Sequence, residues 1–255
     1  MENTSRIGYL AVVIASILLS SCHKILDYGP DQPPPNYRIK SIQFNAPPVP
    51  HTGIFYYNRW GNPDSVIFGW VATGTPNFYF NYNKKKQLRE IKENYVNGLY
   101  EKWHRLGLNN KGQIMTDTLY VFGVQGQDPE TSNYWYKRIE YYQYDKLGRI
   151  IKVITDHIHP DYDTTSFTYA YNSEGNLDNP HYIEQYDNKR NPFTLHPVWQ
   201  FIQRDYSLNN PIPAAEYNSF RLPTRFNWPI ENFTSRFTFF GGRALEQTEI
   251  VYEEK

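Results

Sequence analysis

The chain has 255 residues, with 26 Lys and Arg against 26 Asp and Glu, so its formal charge is zero. There is no basic stripe or polybasic membrane patch, Lys84-Lys85-Lys86 reading as a solvated hairpin tip, which argues against nucleic acid or an anionic lipid surface as a partner. The single cysteine lies at position 22, so the rest of the chain offers no disulfide, cysteine nucleophile or Cys-ligated zinc.

Residues 1–21 read as a secretory signal. A polar start with Arg6 leads into an apolar run over 7–19, too short to cross a bilayer as a mature helix. The run ends in Leu19-Ser20-Ser21-Cys22, which is similar to the bacterial lipobox. That resemblance implies cleavage before Cys22, diacylglycerol on its sulfur and acylation of the new amino group; two or more chains give stable anchoring. His23 stands where an Asp implies inner-membrane retention, so an outer-membrane lipoprotein is expected, facing the periplasm or the surface. Residues 22–50 hold Pro33-Pro34-Pro35 and Pro47-Pro48-Val49-Pro50, a composition that favours an extended, semi-rigid tether. Within it, 37–44 reads as a first strand.

From Thr52 onward the pattern is β. Phe55/Tyr57, Phe78/Phe80/Tyr82 and Phe167/Tyr169/Tyr171 alternate with less apolar neighbours, the period of a half-buried strand. Between these runs one turn recurs, clearest in Tyr144-Asp145-Lys146-Leu147-Gly148-Arg149-Ile150. Copies cover 57–63, 82–88, 108–114, 144–150, 171–177 and 186–192. Asp or Asn at the first turn position accepts a backbone N–H two residues on. Gly three residues later takes the left-handed conformation and closes a hairpin with a bulge. This geometry sets Tyr144 across from Ile150 and Tyr171 across from Leu177. Lys86 and Arg190 replace the Gly in two copies, and those turns are expected to close differently.

Tyr-Asp-x-x-Gly-Arg-Ile resembles the YD repeat of Rhs-type proteins, and the degenerate copies resemble β-hairpin lipoproteins of unknown function from Gram-negative envelopes. The resemblance implies hairpins that build a curling sheet, and it is nearly silent about activity. The expected fold is all-β: an antiparallel meander of repeated hairpins forming one large curled sheet, with folding into two layers as the alternative. A single domain over 51–255 suffices. The stretch 139–154, apolar on both faces, reads as the middle of the sheet, and no window past the signal shows helical periodicity. A Gly241-Gly242 turn and a strand over 245–252 close the chain.

Catalytic constellations are weak. His157, His159, Asp161 and Asp163 share one face if extended and look partly like the His-x-His-x-Asp-His motif of metallo-β-lactamases. Tyr162 replaces the last His, however, and a polar loop with a His-Pro-Asp turn is the preferred reading of the stretch. Glu90, Glu93, Glu140 and Glu184 are candidates for cross-strand carboxylate pairs, whose separation sequence does not supply. No catalytic residue, cofactor or metal ligand is therefore assigned. Among six tryptophans, Trp60 occupies a turn position and is the candidate for stacking a sugar ring. Asp64-Ser65-Val66, Asp117-Thr118-Leu119 and Asp163-Thr164-Thr165 resemble bacterial O-glycosylation sites, which makes Ser65, Thr118 and Thr164 candidate acceptors. The expected function is a lipid-anchored, non-enzymatic envelope module with a structural or protein-interaction role; glycan binding through exposed aromatics is the alternative, and a hydrolase the least favoured.

Overall fold

A computed structural model describes residues 36–44, 51–158, 161–178, 186–210, 214–227 and 247–255. The signal segment, Cys22, the proline runs, His159, Glu184, Trp228 and the Gly241-Gly242 turn lie outside them. The repeated turn is the local unit. At Asn58, Asn83, Asn109, Asp145 and Asn172, the Asx N–H donates to the carbonyl four residues on. The residue at the Gly position donates back to the Asx carbonyl at 2.9–3.1 Å. Each Asx Oδ1 accepts two backbone N–H groups, those of the second and fourth following residues. Gly148 has φ +78°, and Lys86 occupies the same left-handed position at φ +62°. Lys86 thus closes its turn like the glycines, against expectation.

The strands β1 (Tyr37–Phe44), β2 (His51–Tyr57), β3 (Pro63–Phe68), β4 (Asn77–Tyr82), β5 (Leu88–Asn94), β6 (Leu99–Leu108), β7 (Ile114–Val124), β8 (Tyr136–Tyr144), β9 (Ile150–His157) and β10 (Thr165–Thr168) form an antiparallel meander, in which four of these turns join β2 to β3, β4 to β5, β6 to β7 and β8 to β9. A short pair, β11 (Ala170–Tyr171) and β12 (Leu177–Asp178), follows as a separate sheet. Last come β13 (Glu216–Tyr217), β14 (Pro223–Asn227) and β15 (Gln247–Glu254), which extend the large sheet from its other side because β15 pairs with β1. The order is β10-β9-β8-β7-β6-β5-β4-β3-β2-β1-β15-β14-β13, thirteen strands in one open sheet. Tyr144 faces Ile150 and Tyr171 faces Leu177, as the turn geometry requires. The stretch 139–154 lies near one edge, and β4 stands at the middle. Its two-sided apolar character has another cause: Tyr142 and Ile150 enter the core while Tyr141, on the other face, stays 40% exposed.

The tyrosines before the turns do more than fill space. Tyr57, Tyr82, Tyr144, Tyr171 and Tyr186 donate their hydroxyls to the carbonyls of Ile39, Pro63, Ile114, Ile150 and Leu177. In every case but Ile39, the acceptor is the residue closing an earlier turn. Tyr82, Tyr144 and Tyr171 therefore each tie one hairpin to the one before it, and burial raises the phenol pKa of Tyr57, Tyr82, Tyr144 and Tyr171, keeping them donors.

A sheet this wide curls, and the chain fills the curl with its own insert. The copy that begins at Tyr186 makes no hairpin: Arg190 is buried and bridges Asn209, and the Asn191 side chain caps a 3-10 turn, Pro192–Leu195. A helix α1, Pro197–Gln203, follows. His196, extended at φ −153°, caps it through Nδ1, Pro197 presets the first turn, and Arg204 ends it at φ +53°. Two turns are too short to show a period, so the expectation of no helix fails here. Trp199, 1% exposed, meets Phe55 and Phe80 edge-on at 5.3 and 5.6 Å, and Phe201 meets Tyr142 at 5.3 Å. Truncating such a ring costs about 3–5 kcal/mol, so the insert belongs to the core.

Candidate functional site

Alternate residues of β5 to β8 face the trough that α1 occupies, and beyond the apolar packing they carry charge. Glu93 stands opposite Lys102, and Asp117 stands directly opposite Glu140. Like charges so placed repel, and cations interleave them. Lys102 Nζ lies 3.0 Å from Glu93 Oε2, and the His104 ring reaches Glu93 Oε1 at 3.5 Å and Asp117 Oδ2 at 2.8 Å. Arg204, at the C-terminus of α1, lies 3.9 Å from Asp117 and 2.9 Å from Glu140, whose other oxygen is 2.9 Å from Arg138. The result is a row of alternating sign: Lys102, Glu93, His104, Asp117, Arg204, Glu140, Arg138. It lines a cavity of about 390 Å³ rimmed by Phe167 and Tyr169.

Protonation follows from these neighbours. Burial alone lowers the His104 pKa, but Asp117 and Glu93 raise it to about 9, so the imidazolium donates to both carboxylates at neutral pH. Burial would raise Glu140, yet Arg204 and Arg138 hold it at about 2. For Glu93 the His104 hydrogen bond and the Lys102 charge likewise outweigh burial and lower it. A general acid needs a carboxyl whose pKa is raised; Glu93 and Glu140 are both pushed the other way. This arrangement locks the insert to the sheet.

The far ends of β7 to β9 present a different surface. Phe122 has φ +52°, left-handed for an aromatic residue, and the Trp135 N–H donates to the carbonyls of Val121 and Phe122. This kink turns both rings outward: Phe122 to Trp135 is 6.1 Å, Trp135 to Tyr136 is 6.2 Å and Tyr136 to Tyr162 is 6.3 Å. Trp135 is 77% exposed and Tyr162 59%. Strained backbone thus lies beside a ledge of exposed aromatic rings.

The residues singled out from sequence do not converge. Trp60 is exposed in its turn, but Arg59 and Lys86 lie over its ring at 4.4 and 5.3 Å. Ser65 is buried in β3, Thr118 is half-buried in β7 and Thr164 is exposed. His157 pairs with the Tyr136 hydroxyl and packs on Tyr162. Among the described residues no group of three or more His, Asp, Glu or Cys side chains forms a metal site. Glu90 pairs with Arg105 and Lys92 and bonds the Trp103 indole, whereas Glu93 and Glu140 share the trough. The missed partners, His104, Asp117 and Arg204, become neighbours only once β6 and β7 pair and α1 docks.

Fold and site together define an open antiparallel meander curled around its own insert. No family model matches the chain, and no curated protein matches it. Among solved structures it is similar to a porin-like protein from Bacteroides vulgatus, at 13% identity and a TM-score of 0.41, over 85% of this chain and 98% of that one. It is also similar to the TcdB2-TccC3-Cdc42 complex, at 15% identity and a TM-score of 0.24, over 56% of this chain and 8% of that one. At such TM-scores neither informs the function of this chain, and the likeness to YD repeats rests on the turns themselves.

Proposed function

We propose that the protein is a lipid-anchored outer-membrane module that works by contact and carries out no catalytic step. The observation that carries the reading is the ledge of Phe122, Trp135, Tyr136 and Tyr162, because exposed Trp and Tyr dominate the binding energy of protein interfaces. The ion-paired trough supports it, since its charges already engage one another. Cys22 supplies the anchor and the proline-rich segment the stand-off from lipid. Detergent phase separation checks the anchor: Cys22→Ala should move the protein to the aqueous phase or leave an uncleaved precursor, and unchanged partition overturns it. A photo-reactive residue at position 135 in cells should give one discrete protein adduct that Tyr162→Ala weakens; no adduct overturns the contact reading. A second reading, glycan binding, is favoured by Trp70, a single ring 56% exposed; a polysaccharide smear at position 135 or 70 in place of a protein adduct selects it.

A further inference from the structure

Five ladders end alike on the turn side. Their last pairs are Ser41 with Ile54, Ser65 with Tyr79, Thr116 with Tyr141, Lys152 with Thr168 and Arg225 with Glu249. Two residues back along one strand and three forward along the other lead to Ile39 and Tyr57, Pro63 and Tyr82, Ile114 and Tyr144, Ile150 and Tyr171, and Pro223 and Tyr252. In all five the tyrosine hydroxyl donates to that carbonyl, at 2.6–3.2 Å. The β5–β6 ladder ends at Glu90 with Arg105, and the same count leads to Leu88 and Leu108. Leu108 has no hydroxyl to give.

The missing ring coincides with a cavity of about 480 Å³, bounded by Leu88 and Leu108 and walled by Tyr82, Tyr144, Val198 and Phe201. Its volume falls in the range of small-molecule sites. Tyr82 and Tyr144 belong to the rungs on either side of the gap. Burial has lowered the pKa of His196, on the same wall, to about 4, so at neutral pH that wall is uncharged at the imidazole.

We propose that this cavity binds a small phenol, its ring between the Tyr82 and Tyr144 rungs and its hydroxyl donating to the Leu88 carbonyl in place of the absent tyrosine. The ring is para-substituted, because the tyrosines it imitates carry the chain opposite the hydroxyl. The probe is p-cresol titrated into the full chain by ligand-observed NMR, beside toluene, which has the same ring and methyl but no hydroxyl. The p-cresol should bind about fivefold tighter, one hydrogen bond's worth. Leu108→Tyr should abolish its binding and raise Tm by about 2–4 °C; Leu108→Phe should also abolish binding, with a smaller rise in Tm. Ring contacts to the Leu108 and Val198 methyls in the parent protein locate the site without any variant. Equal binding of p-cresol and toluene, undiminished p-cresol binding in the Phe variant, absence of those methyl contacts, or no p-cresol binding at all would each overturn the proposal.

Discussion

Replacing Gly148 by Val isolates the backbone requirement of the repeated turn. At φ +78° a Cβ on residue 148 would meet only Gln113 Nε2, at 3.9 Å, an ordinary contact. Space therefore contributes nothing, and the cost is that of placing a side chain in the left-handed region. That is about 1–2 kcal/mol for a common residue and more for a β-branched one. For a chain of this size 1 kcal/mol shifts Tm by about 2–4 °C, so a loss of about 2 kcal/mol lowers it by roughly 4–8 °C. Lys86→Gly is the reciprocal. Relief of the left-handed lysine is offset by about 0.5–1 kcal/mol of extra chain entropy in the unfolded state, leaving a small upward change. Differential scanning calorimetry of both variants beside the parent reads the contrast. Gly148→Val melting with the parent, or Lys86→Gly melting well below it, would refute the assignment of these turns.

Two further predictions use the same structure. Tyr144→Phe removes the 2.6 Å bond to the Ile114 carbonyl and should cost about 1 kcal/mol in urea unfolding; no loss would make these hydroxyls bystanders. Stability should peak near pH 6.5, for two opposed reasons. The raised pKa of His104, about 9 against an ordinary 6.5, gives stability fully present below 6.5 and lost as pH climbs through 9. The lowered pKa of His196, about 4, gives stability present above 6.5 and lost as pH falls toward 4, with Glu140 adding a loss between 4.5 and 2. Urea midpoints at pH 4.5, 6.5 and 9 read this profile, and an alkaline decline that survives in His104→Gln would contradict the ion-pair row.

The hairpins were legible because Asx, Gly and the flanking apolar pair lie within seven residues, and five of six copies form. The copy at 186–192 fails because the Asn191 side chain accepts the Phe193 N–H, which starts the 3-10 turn instead of a strand. A further copy at Asn218 is masked in the sequence because Arg221 takes the Gly position, at φ +61°. As at Lys86, the turn tolerates a long cation there. The tyrosine ties were half-visible: Tyr precedes five of the six expected turns, a bias that cross-strand packing alone does not explain. The charged row was invisible for a plainer reason. Glu93, Asp117 and Glu140 sit on three strands and Arg204 comes after a seven-residue helix, so only pairing register and curl bring them together.

The pairing of β1 with β15 places the two ends of the described chain side by side, with the Lys255 N–H donating to the Asn36 carbonyl at 3.0 Å. It also places β1 inside the sheet, held by seven residue pairs to β15 and four to β2. A pull transmitted through the residues before Asn36 runs along β1 and loads both ladders in shear, so their bonds resist together. An edge strand pulled across its ladder would peel one bond at a time. The first described strand is thus well placed to carry mechanical load into the domain.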